Sequence, residues 1–126
     1  MSVVFLTLDE VIEIHRDQVA RYGGKEGIRD LGLLPSALAQ PAARFGGQYL
    51  HADLLEMAAA YLFHIVRNHP FIDANKRTGL VCALVFLLLN GTDFDATNDE
   101  LEALVFGVAL WQTDKAVVAQ FFRDHC

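Results

Sequence analysis

The chain has 126 residues, of which 53% are hydrophobic and 21% charged, and its 10 basic and 16 acidic side chains leave a net charge of −6. A chain of this length predicts one domain spanning residues 1–126, and so apolar a composition excludes disorder, because there is ample surface to bury against the entropy of ordering. The acidic balance excludes general binding to DNA or RNA, which rests on neutralising phosphates with Lys and Arg, but leaves room for one local phosphate site.

The start, MSVVFLTLDEV, has no basic segment and no small-residue cleavage site, so no signal peptide is expected. Thr7 with Glu10 forms a capping-box signature, and Val11, His15, Val19 and Tyr22 recur at helical spacing until Gly23-Gly24. A loop with Arg29 and Asp30, expected to pair with each other, leads to a short helix around Leu33–Ala39, stopped by Pro41. Phe45 to Leu50 reads as a loop. Ala52 to Arg67 reads as an apolar helix broken at His69-Pro70, and Asp73 is the expected N-cap of the next, from Ala74 to about Asn90. The ten apolar residues Leu80–Leu89 lie in that helix. They are half of the ~20 needed to span a bilayer, so a buried helix and no membrane partner are expected.

Thr97 with Glu100 opens a further helix to about Leu110, and Thr113 is the expected cap of a last one through Phe122. Only Val3–Leu6 and Thr92–Phe94 have strand character. The expected fold is therefore an all-α helical bundle with room for one short β pairing. Cys82 reads as a core residue and Cys126 ends the chain. Two such cysteines form no disulfide framework or metal set, which makes a reducing cytoplasm the expected compartment.

The unusual chemistry lies between the two apolar helices. In RNHPFIDANKR, residues 67–77, three of the ten basic residues stand beside one acid. Lys76 and Arg77 fall in the first turn of a helix, where cations oppose the macrodipole. Stability alone disfavours that placement. An anion site favours it, because free backbone N–H groups, the dipole and two cations converge, and Asn75 adds an amide donor. His69 carries an imidazole, a side-chain type suited to taking a proton from a hydroxyl at neutral pH. Asp73 offers a hard oxygen ligand for the magnesium that accompanies a nucleotide. Phe71 between them should pack inward.

HPFIDANKR resembles the signature of the Fic/Doc superfamily: His-x-Phe-x-acid-Gly/Ala-Asn-Gly/Lys-Arg. The flanks IHRDQVARYGG, GIRDLGLLPSALAQP and LLLNG agree as well, so the resemblance spans nearly the whole chain and is greatest to the death-on-curing (Doc) toxins. It implies a compact Fic/Doc-type bundle in which His69 is the base, Asp73 the Mg2+ ligand, and Asn75, Lys76 and Arg77 the holders of ATP phosphates. Fic adenylyltransferases have Gly where this chain has Ala74 and Lys76. Lys76 would fill the space for the α- and β-phosphates, so the resemblance implies a reversed nucleotide and a protein kinase. The implied target is a Ser/Thr hydroxyl of elongation factor Tu or a similar translation factor, whose phosphorylation inhibits translation. The implied partner is an antitoxin that lays a helix in a groove over the site. A Fic-type adenylyltransferase and a catalytically inactive partner-binding module are the alternatives.

The remaining residues have blander roles. His15 reads as a satisfied histidine on an apolar stripe. Arg67 is either a phosphate or target contact or a solvated helix end. A His64/His69/Asp73 metal site is disfavoured, because helical phase separates the imidazoles. Trp111, with Phe106, Phe121 and Phe122, belongs either to the core or to the antitoxin groove. The acids from Asp93 to Glu102 read most simply as a solvated, capping face, with a surface for a basic partner as the alternative.

Overall fold

The helix α3 (Leu54–Asn68) runs through the middle of the molecule and α4 (Asn75–Leu89) lies against it. The computed structural model describes residues 2–126. Around the central pair stand α1 (Leu8–Tyr22), α2 (Leu33–Ala39), α5 (Asn98–Ala109) and α6 (Lys115–Asp124). The all-α architecture is as the sequence indicates. Met57, Tyr61, Leu62 and Ile65 of α3 meet Cys82, Ala83, Phe86 and Leu87 of α4 in one buried cluster, completed by Val11, Leu34, Val108, Val118 and Phe122. Gly79 sets how closely the two central helices approach. A Cβ there would lie 3.0 Å from Val66 Cγ2 and 3.2 Å from the Leu62 carbonyl oxygen. Burial in this cluster pushes the Cys82 thiol pKa up. Among the described residues no helix is long and apolar enough to cross a membrane.

Several ends differ from the sequence expectation, each for a tertiary reason. Val3–Leu6 does not pair with Thr92–Phe94. Asn90 instead takes both backbone groups of Val4, accepting from its N–H at 2.8 Å and donating to its carbonyl at 2.9 Å. Tyr61 then accepts the Leu6 N–H at 2.9 Å. The short β pairing lies elsewhere, in a segment that reads as loop. β1 (Arg44–Phe45) and β2 (Gln48–Tyr49) form a two-residue hairpin, with Gly46 and Gly47 at φ 60° and 80°. That is the left-handed pair a tight hairpin turn demands.

The α3 helix begins after Asp53, whose carboxylate accepts the Glu56 N–H at 2.9 Å. The last helix is capped by Asp114, not Thr113: the Asp114 carboxylate accepts the Val117 N–H at 3.0 Å. Thr113 is engaged otherwise, its carbonyl by Arg67 and its side chain against Gly107. Phe122 is core, whereas Trp111 and Phe106 are exposed. The capping boxes Thr7/Glu10 and Thr97/Glu100 are present.

Candidate active site

The turn from α3 to α4 is bracketed by two non-glycine residues in the left-handed region, His69 at φ 52° and Ala74 at φ 63°. Each such residue costs about 1–2 kcal/mol, a strain that persists only where surrounding contacts over-determine it. Those contacts come from far along the chain. The loop after α1 runs antiparallel to the turn: Arg29 N–H donates to the Pro70 carbonyl at 2.7 Å and Ile72 N–H to the Gly27 carbonyl at 3.0 Å. The Arg29 guanidinium donates to the carbonyls of His69 and Asn68 at 2.7 and 2.9 Å. Arg29 therefore does not pair with Asp30, whose carboxylate accepts the Gly32 and Leu33 N–H groups ahead of α2.

Phe71 is buried, as expected, and His15 stacks on it with ring centroids 3.8 Å apart. His15 also donates from Nε2 to the Asp73 carbonyl at 2.9 Å. The histidine is satisfied, as the sequence reading has it, and the bond it makes holds the candidate metal ligand.

Asp73 is not the N-cap of α4; Ala74 is, and no side chain caps that helix. The Asp73 carboxylate accepts the Ala74 N–H at 2.8 Å through Oδ1 and the Lys25 N–H at 3.1 Å through Oδ2. These two backbone bonds, helped by the charges of Arg77 and Lys25, hold its pKa below the ordinary value. The carboxylate is exposed and ionised. Gly24 makes this possible, since a Cβ there would stand 2.7 Å from Oδ2.

The α4 helix starts without a side-chain cap and with no acid in its first turn. Its first N–H groups therefore lack intrahelical acceptors. Beside this helix start lies a cavity of about 410 Å³, lined by His69, Asp73, Asn75, Lys76 and Arg77 together with Val66, Arg67, Ala109 and Trp111. All five candidate residues thus share one cavity, although they are not equally free. His69 is exposed at its rim. Asn75 is buried and braces the turn, accepting from Phe71 N–H at 2.9 Å and donating to the Phe71 carbonyl at 3.0 Å. One hydrogen of its amide remains for a ligand. Arg77 donates to the Gln18 and Gly23 carbonyls at 3.3 and 2.9 Å, which ties the end of α1 to the cavity. The Lys76 ammonium lies 5.6 Å from the Phe106 ring centroid.

Arg67 is not a solvated helix end. It donates to the Val108 and Thr113 carbonyls at 2.7 and 3.2 Å and stacks between Phe63 and Trp111. No group of three or more metal-ligating side chains occurs among the described residues. His64 belongs to another cluster, with its Nε2 3.2 Å from the Lys115 ammonium. Burial first, then the charge of Lys115, pushes the His64 pKa down to about 4. Sequence reasoning missed the roles of Gly24, Lys25 and Arg29, because the groups they hold lie 39 to 49 positions away.

Arranged so, the cavity can receive an anion at the helix start, hold a divalent cation at Asp73 and take a proton at His69. The chain has relatives among known proteins. Residues 5–87 match the profile of the Fic/DOC family. The chain is 38% identical over 116 residues to "Protein kinase doc" of Escherichia phage P1, covering 91% of this chain and 90% of that protein. It is 39% identical over 102 residues to "Toxin Doc" of Mycolicibacterium smegmatis, covering 78% and 77% of the two chains.

Proposed function

Because the chain belongs to the Fic/DOC family, we propose that it is a Doc-type toxin that transfers the γ-phosphoryl group of ATP to a protein hydroxyl. The observation that carries this reading is the uncapped start of α4 opening into the cavity that His69 and Asp73 border. Four other helices are capped by Thr7, Asp53, Thr97 and Asp114. Of the two helices without a side-chain cap, the short α2 and α4, only α4 presents two cations in its first turn, an arrangement that favours a polyphosphate.

In this reading the free N–H groups of α4, with Lys76 and Arg77, hold the phosphates. The target hydroxyl oxygen bonds to the γ-phosphorus while the bond from that phosphorus to the bridging oxygen breaks. The hydroxyl proton passes to His69, and ADP leaves. Such transfer asks little covalent chemistry of the protein, so position and charge supply most of the rate. Mg2+ fits the single exposed, ionised carboxylate of Asp73, since it usually takes one or two protein carboxylates and completes its shell with water and phosphate oxygens. When bound it supplies neutralisation of phosphate charge.

The target is a Ser/Thr hydroxyl of a translation factor such as elongation factor Tu, with inhibition of translation as the outcome. The partner is an antitoxin whose helix lies in the apolar groove between α1, α4 and α5, lined by Tyr22, Leu80, Leu84, Leu101, Val105 and Phe106. That groove of about 600 Å³ reaches Lys76 and Arg77, so an occupant would cover the phosphate-holding cations.

Incubation with ATP labelled at the γ- or the α-phosphate tests this reading on cytosolic extract. Label transferred from γ alone, and lost in His69→Ala, is the expected result. Label from α establishes nucleotidyl transfer instead, and label from neither leaves a binding module.

A further inference from the structure

The C-terminus of α5 ends in a turn whose backbone is built for glycine. Trp111 N–H donates to the Val108 carbonyl at 3.2 Å and Gln112 N–H to the Gly107 carbonyl at 2.9 Å. This is the paired bonding of a Schellman motif, in which the residue after the C-cap adopts the left-handed conformation. Glycine is the usual residue at that position in such motifs because it carries no Cβ penalty. Here the position holds Trp111, at φ 61°, the only tryptophan of the chain.

Neither folding nor burial accounts for it. A tryptophan in this conformation is strained by about 1–2 kcal/mol relative to glycine. The side chain is 75% exposed, so burial offsets little of that strain. What holds the indole in place is Arg67, whose guanidinium carbon stands 3.6 Å from the ring centroid while its nitrogens bond the Val108 and Thr113 carbonyls. The ring is therefore backed by a hydrogen-bonded cation on one side and is otherwise largely exposed. It forms a wall of the cavity whose other end is the start of α4.

We propose that Trp111, backed by Arg67, is the surface on which the base of the bound nucleotide stacks. The proposal rests on the nucleotide reading above and adds to it the element that tells a nucleotide from a bare polyphosphate. The phosphate-holding groups of α4 recognise charge alone. An aromatic ring in the same cavity adds an apolar, sequence-tolerant contact for a base tethered to those phosphates through its ribose. The cavity, at about 410 Å³, is of the size that small-molecule sites occupy.

The single tryptophan makes the test direct. In the wild-type protein with Mg2+, ATP should change the intrinsic fluorescence saturably, while inorganic tripolyphosphate, which has no base, should bind without changing it. By calorimetry Trp111→Gly should bind ATP roughly 5- to 100-fold more weakly and tripolyphosphate as the wild type does. Glycine suits the backbone at this position, so that variant should melt no lower than the wild type. Equal ATP affinity in Trp111→Gly overturns the proposal and leaves the phosphate site standing. Equal ATP affinity with impaired transfer to the target protein also overturns it, and assigns Trp111 to the target. Failure of both ATP and tripolyphosphate to bind the wild type overturns the phosphate site and the base site together.

Discussion

His15 and Asp73 are joined across 58 residues by a bond from the imidazole Nε2 to the aspartate carbonyl, 2.9 Å long. The same imidazole lies flat on Phe71. The body of α1 thus fixes both the buried anchor of the α3–α4 turn and the backbone of its candidate metal ligand. His69, at the other end of the turn, is held through its carbonyl by Arg29. The His69 and Asp73 side chains are exposed, while their carbonyls are held by Arg29 and His15.

The His15→Phe variant keeps the stack and deletes the donor. The half-buried Asp73 carbonyl then loses its partner, a loss of about 1 kcal/mol. Thermal melting should fall by several degrees, and turnover should fall further than nucleotide affinity because the turn loses its register. His15→Gln, whose amide can donate, should recover part of both. An unchanged melting temperature in His15→Phe would remove the bond from any account of the site.

Gly24 and Gly23 separate strain from collision. Both have positive φ, at 116° and 85°. An added Cβ at Gly23 meets nothing within 4 Å, whereas at Gly24 it meets Asp73 Oδ2 at 2.7 Å and Arg77 at 3.3 Å. Alanine at either position should lower stability by about 1–2 kcal/mol. Only Gly24→Ala should also raise the Mg2+ concentration needed for half-maximal transfer. Equal Mg2+ dependence in the two variants would argue against Asp73 as the ligand.

At Ala74 two effects of similar size oppose each other. Its left-handed φ of 63° costs about 1–2 kcal/mol relative to glycine, while the buried methyl contributes about 0.8 kcal/mol. Strain wins by a small margin, so Ala74→Gly should raise the melting temperature by a few degrees. A lower melting temperature would show that the methyl packs more tightly than burial alone implies.

Acid should weaken the packing of α6 on α3. His64 has its pKa lowered to about 4 by burial first and then by Lys115, and His51 is lowered by the same two causes. Glu56 faces this group from α3, and its charge raises the His51 pKa. A histidine with a depressed folded pKa is bound by more protons when unfolded, so stability falls as pH drops from about 6.5 towards 4. His125 acts in the opposite sense. Its pKa is raised by the Phe121 carbonyl and by Glu100, so its contribution is complete below about 6.5 and is lost as pH rises through the raised value. The melting temperature should therefore drop by several degrees between pH 6.5 and 4.5 in the wild type. His64→Gln should flatten that limb, and an identical acid limb in the variant would place the sensitivity elsewhere.

Features whose physics is local are legible in the order of the amino acids. The capping boxes at Thr7/Glu10 and Thr97/Glu100 close over three residues, so they and the helices they open are legible without a fold. The site motif is contiguous, which is why His69, Asp73, Asn75, Lys76 and Arg77 could be gathered from one stretch and are found around one cavity. The tertiary structure alone decided which polar group satisfies which. Asp73 is drawn from capping α4 to the Ala74 and Lys25 N–H groups, and Arg29 from Asp30 to the carbonyls of the turn. Asn90 takes the place of a strand beside Val4, and Arg67 holds an exposed Trp111 where the chain geometry favours glycine. The physical reason is common to all four. A hydrogen bond or a stack is blind to sequence separation, and the groups that compete for each donor meet only once the helices have packed.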